Sequence, residues 1–141
     1  MEKCNIRYID KDTVELLDFI SIDVSFISLR LVFPVAASLL KPDGKLVCLV
    51  KPQFEAGREQ VGKKGIVRDR KVHVQVIENV IKYSVESGLN PKGLTFSPVT
   101  GAKGNIEYLL FIDGRCSSSA DIDMDRLNIS QIVNTSHEEL E

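Results

Sequence analysis

The chain has 141 residues, 43% of them hydrophobic and 27% charged, which suits one soluble globular domain with its own core rather than a disordered or fibrous chain. A formal net charge of -2 excludes a globally basic nucleic-acid binder. No apolar run approaches the ~20 residues of a membrane span, and the N-terminus lacks the apolar core of a secretory signal. Charge is nonetheless segregated. Residues 51–73 hold seven Lys/Arg against three Asp/Glu, and residues 113–141 hold two against seven.

Taken in chain order, residues 5–9 read as a strand end, and Asp12 or Thr13 as the cap of a turn over 14–17. Residues 19–24 are β-branched and partly alternating, as in a strand. Residues 29–40 read as a helix, with Pro34 acceptable only near its first turn. Lys41-Pro-Asp-Gly44 reads as a turn. Five apolar residues, 46–50, follow without a break and read as a strand buried on both faces. Lys51 closes that strand. Pro52 keeps Lys51 out of the helical region and is expected to prevent a helix from starting there.

Residues 53–67 form a long polar segment with Gly57, Gly62 and Gly65, a length that usually signals function or mobility. Asp69 is an N-cap candidate for a helix whose apolar positions run from Val72 to Tyr83, and Gly88 is its natural terminator. Residues 93–97 and 107–112 read as strands joined by a short loop, hence antiparallel. Residues 114–121, rich in serine, read as a linker to a terminal amphipathic helix over 122–140. Alternation of strands and helices predicts an α/β fold with a mostly parallel sheet, right-handed crossovers and one antiparallel strand.

Cys4, Cys48 and Cys116 are odd in number and widely spaced, which argues for a reduced protein and a cytoplasmic location. With no Cys-x-x-Cys pair, and with His73 and His137 far apart in sequence, no metal site is expected.

Strand direction brings three charged residues to one edge. Asp23 closes the first strand and Lys51 the second. Glu107 opens the last, which runs the other way. A lysine near its ordinary pKa of ~10.4 is a poor base at neutral pH. Lys51 therefore either has a lowered affinity for its proton or acts by stabilising a developing alkoxide. A structural ion-pair network remains the other reading of the same three residues.

Asp-Val-Ser-Phe-Ile-Ser-Leu (23–29), Lys-Pro-Gln-Phe-Glu-Ala-Gly-Arg-Glu (51–59), Val-Gly-Lys (61–63), Gly-Ile-Val-Arg-Asp (65–69) and Gly-Asn-Ile-Glu-Tyr-Leu (104–109) resemble the hemolysin/TlyA-type ribosomal RNA 2′-O-methyltransferases of the FtsJ-like group. The resemblance runs over nearly the whole chain. It implies a partial Rossmann-like methyltransferase fold with helices on both faces of the sheet, S-adenosylmethionine as methyl donor, and ribosomal RNA as partner and substrate. It also implies a Lys-Asp-Lys-Glu catalytic pattern, in which Asp23, Lys51 and Glu107 match the last three members. Asp23, Ser25 and Phe26 would touch the donor. Arg58, Lys63, Lys64 and Arg68 would meet RNA phosphate.

The chain also departs from that pattern. It contains no Gly-x-Gly sequence, and residues 1–141 are expected to lack the family's S4-type RNA-binding domain, first catalytic lysine and glycine-rich donor loop. Residues 1–141 are therefore expected to be a single, truncated methyltransferase domain, inactive alone or rebuilt as a homodimer through an exposed sheet edge. A non-catalytic RNA-binding remnant is the alternative. A membrane-active hemolysin is a second alternative, against which stands the lack of any span or strongly basic amphipathic helix. The pairs Gly62/Gly65 and Gly101/Gly104 read first as turns, with the first also able to touch RNA backbone.

Overall fold

The computed structural model describes residues 16–57, 61, 65–101, 104–115 and 128–140. The expected strand at 5–9, the caps at 12–13, residues 116–121 of the expected linker and residues 122–127 of the expected terminal helix lie outside them. In chain order the elements are β1 (Leu17–Ile22), α1 (Leu29–Leu39), β2 (Leu40–Val50), α2 (Pro52–Glu55), α3 (Arg70–Glu86), β3 (Leu89–Phe96), β4 (Tyr108–Arg115) and α4 (Ile129–Leu140).

The sheet order is β1-β2-β4-β3. Strands β1 and β2 are parallel, and β4 runs antiparallel to both β2 and β3. Three strands thus point one way, with the reversed strand between two of them, as the alternation of elements predicts. Strand β4 includes Gly114 and Arg115, so the described sheet extends into the segment read as a linker.

Periodicity explains the helices. On α1, Leu29, Val32, Phe33, Ala36 and Ala37 are buried, the i, i+3, i+4, i+7, i+8 stripe of a helix with one face on a core. On α3 the stripe is Val72, His73, Val76, Ile77, Val80, Ile81 and Ser84. Helices α1, α3 and α4 contact one another through α3. Beneath them lie Ile20 and Ile22 of β1, Leu46, Cys48 and Val50 of β2, and Leu110 and Ile112 of β4. Each such aliphatic side chain, fully buried, contributes about 1.5–3 kcal/mol before the entropy of ordering the chain is subtracted.

Helix ends follow local chemistry. Ser28 Oγ accepts from Arg30 N at 3.1 Å and Asp69 Oδ1 from Lys71 N at 2.9 Å, each satisfying a donor with no partner inside its helix. Helix α3 ends before Gly88, at φ 81°, a conformation that glycine adopts without a Cβ penalty.

Three expectations are corrected. Residues 41–44 are not a turn ahead of the strand. The pairing moves from Leu17↔Leu40 to Phe19↔Lys45, so they are an irregularity inside β2, with a solvent-exposed 3.0 Å Lys41–Asp18 ion pair beside it. Pro34 lies inside α1 rather than in its first turn. It is exposed, as is Arg30 four residues earlier, so the carbonyl that loses its partner lies on the solvent side. Pro52 does not prevent a helix: it is the first residue of α2, while Lys51 is the extended N-cap at φ -112°, ψ 98°. Proline suits a first helical position because its missing N–H has no helical acceptor there.

Candidate functional site

The site lies where β1 and β2 end and β4 begins. The register Ile22↔Cys48 in the parallel pair sets Ser25 beside Lys51 by continuation. The register Val50↔Tyr108 in the antiparallel pair sets Lys51 opposite Glu107 in the same way. Backbone pairing therefore converges the three charged residues that strand direction had grouped.

Side-chain geometry divides them. Lys51 Nζ lies 2.5 Å from Asp23 Oδ1 and 3.3 Å from Ser25 Oγ, to which it donates. The Lys51 side chain is 13% exposed and that of Asp23 51%, so the pair sits at the mouth of the edge with its cation inward. Among the described residues no ion pair joins Lys51 to Glu107. Glu107 is buried and accepts instead from Gln53 Nε2 at 3.0 Å. Its carboxylate presses on Gly101, where an added Cβ would lie 2.1 Å from Oε2.

The run Lys-Pro-Gln-Phe-Glu (51–55) acquires a task for each residue. Lys51 carries the ion pair, and Pro52 starts the single turn of α2. Gln53 holds Glu107. Phe54 packs on Phe26, ring centroids 4.8 Å apart. Glu55 caps α1, accepting from Ser28 Oγ at 2.6 Å and from Leu29 N at 2.9 Å. Burial pushes the Glu55 carboxyl above its ordinary value, while the Ser28 and Leu29 hydrogen bonds and the Arg30 charge pull it back. This turn thus ties the ends of β1, β2 and α1 to the start of β4.

Phe26 is 89% exposed and takes a left-handed φ of 66°, rare for a bulky residue and costly enough to require the surroundings to hold it. With Ser25 and Asp23 it offers a ring, a hydroxyl and a carboxylate on the open side of the edge.

Of the residues expected to touch RNA, Arg68 is exposed; Arg58, Lys63 and Lys64 lie outside the described residues. The buried Asn105 side chain ties this segment to the Glu107 loop, donating to Gly65 O at 2.8 Å and accepting from Val67 N at 2.9 Å. Gly101 and Gly104 form a tight turn, Gly104 N donating to Gly101 O at 3.1 Å with φ 85° at Gly104.

The histidines are not separated as their sequence distance suggested. His73 and His137 are buried with Nδ1 of the first 2.9 Å from Nε2 of the second, because α4 packs on α3. His73 Nε2 donates to Val67 O at 2.8 Å. The His73 Nδ1 atom faces both His137 and the Tyr108 hydroxyl, 2.9 Å away. Among the described residues no group of three or more potential metal ligands gathers.

Gln53 and Gly101 escaped the sequence reading. Gln53 stands two residues after Lys51 in a motif already singled out, a signal that was present. Gly101 was read only as half of a turn pair, since only the folded loop puts it under a carboxylate.

Comparison with known proteins adds the family. The FtsJ-like methyltransferase family model matches residues 1–113. The chain is 47% identical to a Bacillus subtilis (strain 168) protein named as an rRNA methyltransferase, YqxC, over 99% of this chain and 50% of that protein. It is 35% identical to the 16S/23S rRNA (cytidine-2′-O)-methyltransferase TlyA of Mycobacterium tuberculosis (strain CDC 1551 / Oshkosh), over 79% of this chain and 42% of that one. A solved Streptococcus thermophilus structure, named as a hemolysin, superposes with a TM-score of 0.87 at 45% identity, covering 99% of this chain and 50% of the other. The chain spans about half the length of the curated relatives it matches.

Proposed function

The chain belongs to the FtsJ-like methyltransferase family, and from that premise we propose that it carries the hydroxyl-activating half of an S-adenosylmethionine-dependent ribosomal RNA 2′-O-methyltransferase. The observation that supports this reading most strongly is the inward Lys51 ammonium, held by Asp23 at 2.5 Å at the strand edge that Glu107 shares.

S-adenosylmethionine, when bound, supplies an electrophilic methyl group, and Asp23, Ser25 and Phe26 would form its flank on this chain. The rest of the proposal concerns the hydroxyl. An ammonium held by a carboxylate donates hydrogen bonds and has no lone pair with which to take a proton. Lys51 therefore serves by donating to the ribose oxygen and stabilising the negative charge that develops there. Asp23 fixes the direction of the ammonium, and Glu107, on the other strand, would accept the proton that leaves the ribose oxygen as that oxygen gains the methyl group. Arg68 would neutralise RNA phosphate, with Arg58, Lys63 and Lys64 of the same basic segment adding to it, which would make affinity salt-dependent. No described helix is long and apolar enough to cross a membrane, and the word hemolysin is carried only by relatives' names.

The test is calorimetric titration with S-adenosylmethionine together with transfer of labelled methyl to ribosomal RNA, for wild type and Lys51→Ala. The expected outcome is a loss of about a hundredfold or more in transfer with donor affinity retained. Unchanged turnover in Lys51→Ala would remove Lys51 from the reaction.

A further inference from the structure

We propose that Gln53 is the positioning residue of this site, holding the Glu107 carboxylate away from Lys51 so that a substrate hydroxyl can enter between a cation and an anion. The inference rests on the reading of Lys51 and Glu107 given above.

Three observations carry it. First, Gln53 donates through Nε2 to Glu107 Oε2 at 3.0 Å, while its own Oε1 is buried with no hydrogen-bond partner among the described residues. A carboxamide kept for the core would turn to satisfy both ends. Here reversal would set oxygen against carboxylate oxygen, so Glu107 dictates the orientation and the acceptor goes unsatisfied. Second, continuing the β2–β4 register one residue past Val50↔Tyr108 sets Lys51 and Glu107 opposite each other, where opposite charges on cross-strand neighbours attract. They do not pair among the described residues, and Gln53 is what Glu107 contacts instead. Third, Gly101 leaves room for the carboxylate, since an added Cβ would fall 2.4 Å from Glu107 Cδ. The seat is shaped for the carboxylate from both sides.

The chemistry favours an amide over a cation here. A neutral donor fixes the position of Glu107 without cancelling its charge, and it leaves Glu107 Oε1 able to accept from the incoming hydroxyl. Lys51 then has Asp23 and Ser25 as its only described partners until substrate arrives.

A pair retained for chemistry rather than stability has a signature that needs no activity. Replacing one partner strands the other in a buried place, whereas replacing both with apolar isosteres removes the problem. The experiment is thermal melting of the full chain as wild type, Gln53→Met, Glu107→Met and the double variant, with Gln53→Leu in reserve should Gln53→Met not fold. Each single variant is expected to melt below wild type and the double variant at or above it. A double variant melting below wild type would overturn the proposal. In the methyl-transfer assay, Gln53→Met is expected to lower kcat by about a hundredfold, as ångström-scale misplacement of a reacting group does, with KM within about twofold. Retained kcat would overturn it equally. A wild-type chain that neither transfers a methyl group nor binds ribosomal RNA refutes the reading on which this rests, and the melting order then decides the pair by itself.

Discussion

Gly101→Ala isolates the seat of Glu107 from everything else in the fold. The new Cβ would stand 2.1 Å from Glu107 Oε2, 2.4 Å from Cδ and 2.9 Å from Oε1. Ordinary contact begins near 3.4 Å, so the carboxylate must retreat by more than an ångström. That breaks the 3.0 Å hydrogen bond from Gln53. Gly101 does not need the left-handed backbone that Gly104 adopts, so alanine itself is not strained there. Losing a hydrogen bond to a charged group costs about 1.5–3 kcal/mol. Restricting the unfolded chain returns about 0.4–1 kcal/mol. The net loss is about 1.5 kcal/mol, a fall of roughly 3–6 °C in midpoint for a chain of this size. The assay is thermal or denaturant unfolding of Gly101→Ala in the wild-type and Glu107→Ala backgrounds. With the carboxylate gone, alanine at 101 should be neutral or stabilising, so the two backgrounds differ by about 1.5–3 kcal/mol. An equal effect in both would refute the placement of Glu107 against Gly101.

Two further outcomes follow from titratable groups in the core. Burial holds the Glu55 carboxyl above 4.5, so the folded state binds its proton more tightly than the unfolded chain does. The stability this adds is full below about pH 4.5 and is lost as pH rises through the folded value. The melting temperature of wild type relative to Glu55→Gln should therefore fall as pH climbs from 4.5 toward neutrality; a constant or growing difference would contradict the cause assigned to the shift. Cys48 is fully buried, and burial with the nearby Glu55 charge pushes its thiol up. Alkylation at that position, followed by peptide mass spectrometry, should proceed only as fast as the fold opens and accelerate with denaturant. Prompt labelling in buffer would show that the β2 core is open.

The legible part of the fold was periodic. The apolar stripe of α3 and its Asp69 cap, the unbroken apolar run ending at Val50, and Gly88 as terminator all follow from local spacing, and the structure contains each of them. Boundaries were less legible where local signals compete. Lys-Pro-Asp-Gly at 41–44 has the chemistry of a turn, but β1 pairs on both sides of it, so it becomes an irregularity within a strand. Pro52 signals a break to its N-terminal side and a helix start to its C-terminal side. Only the second operates, because Lys51 is already extended.

In the site, residue types and strand directions were enough to group Asp23, Lys51 and Glu107 at one edge, because parallel strand ends and an antiparallel strand start coincide there. What the tertiary structure alone decided is how they divide: Lys51 with Asp23, Glu107 with Gln53. That division depends on the depth of each side chain and on the room beneath Gly101, neither of which has a local signature. The same holds for His73 and His137. They are 64 residues apart in the chain and 2.9 Å apart in space, because the packing of α4 on α3 is a contact between surfaces that no sequence spacing encodes.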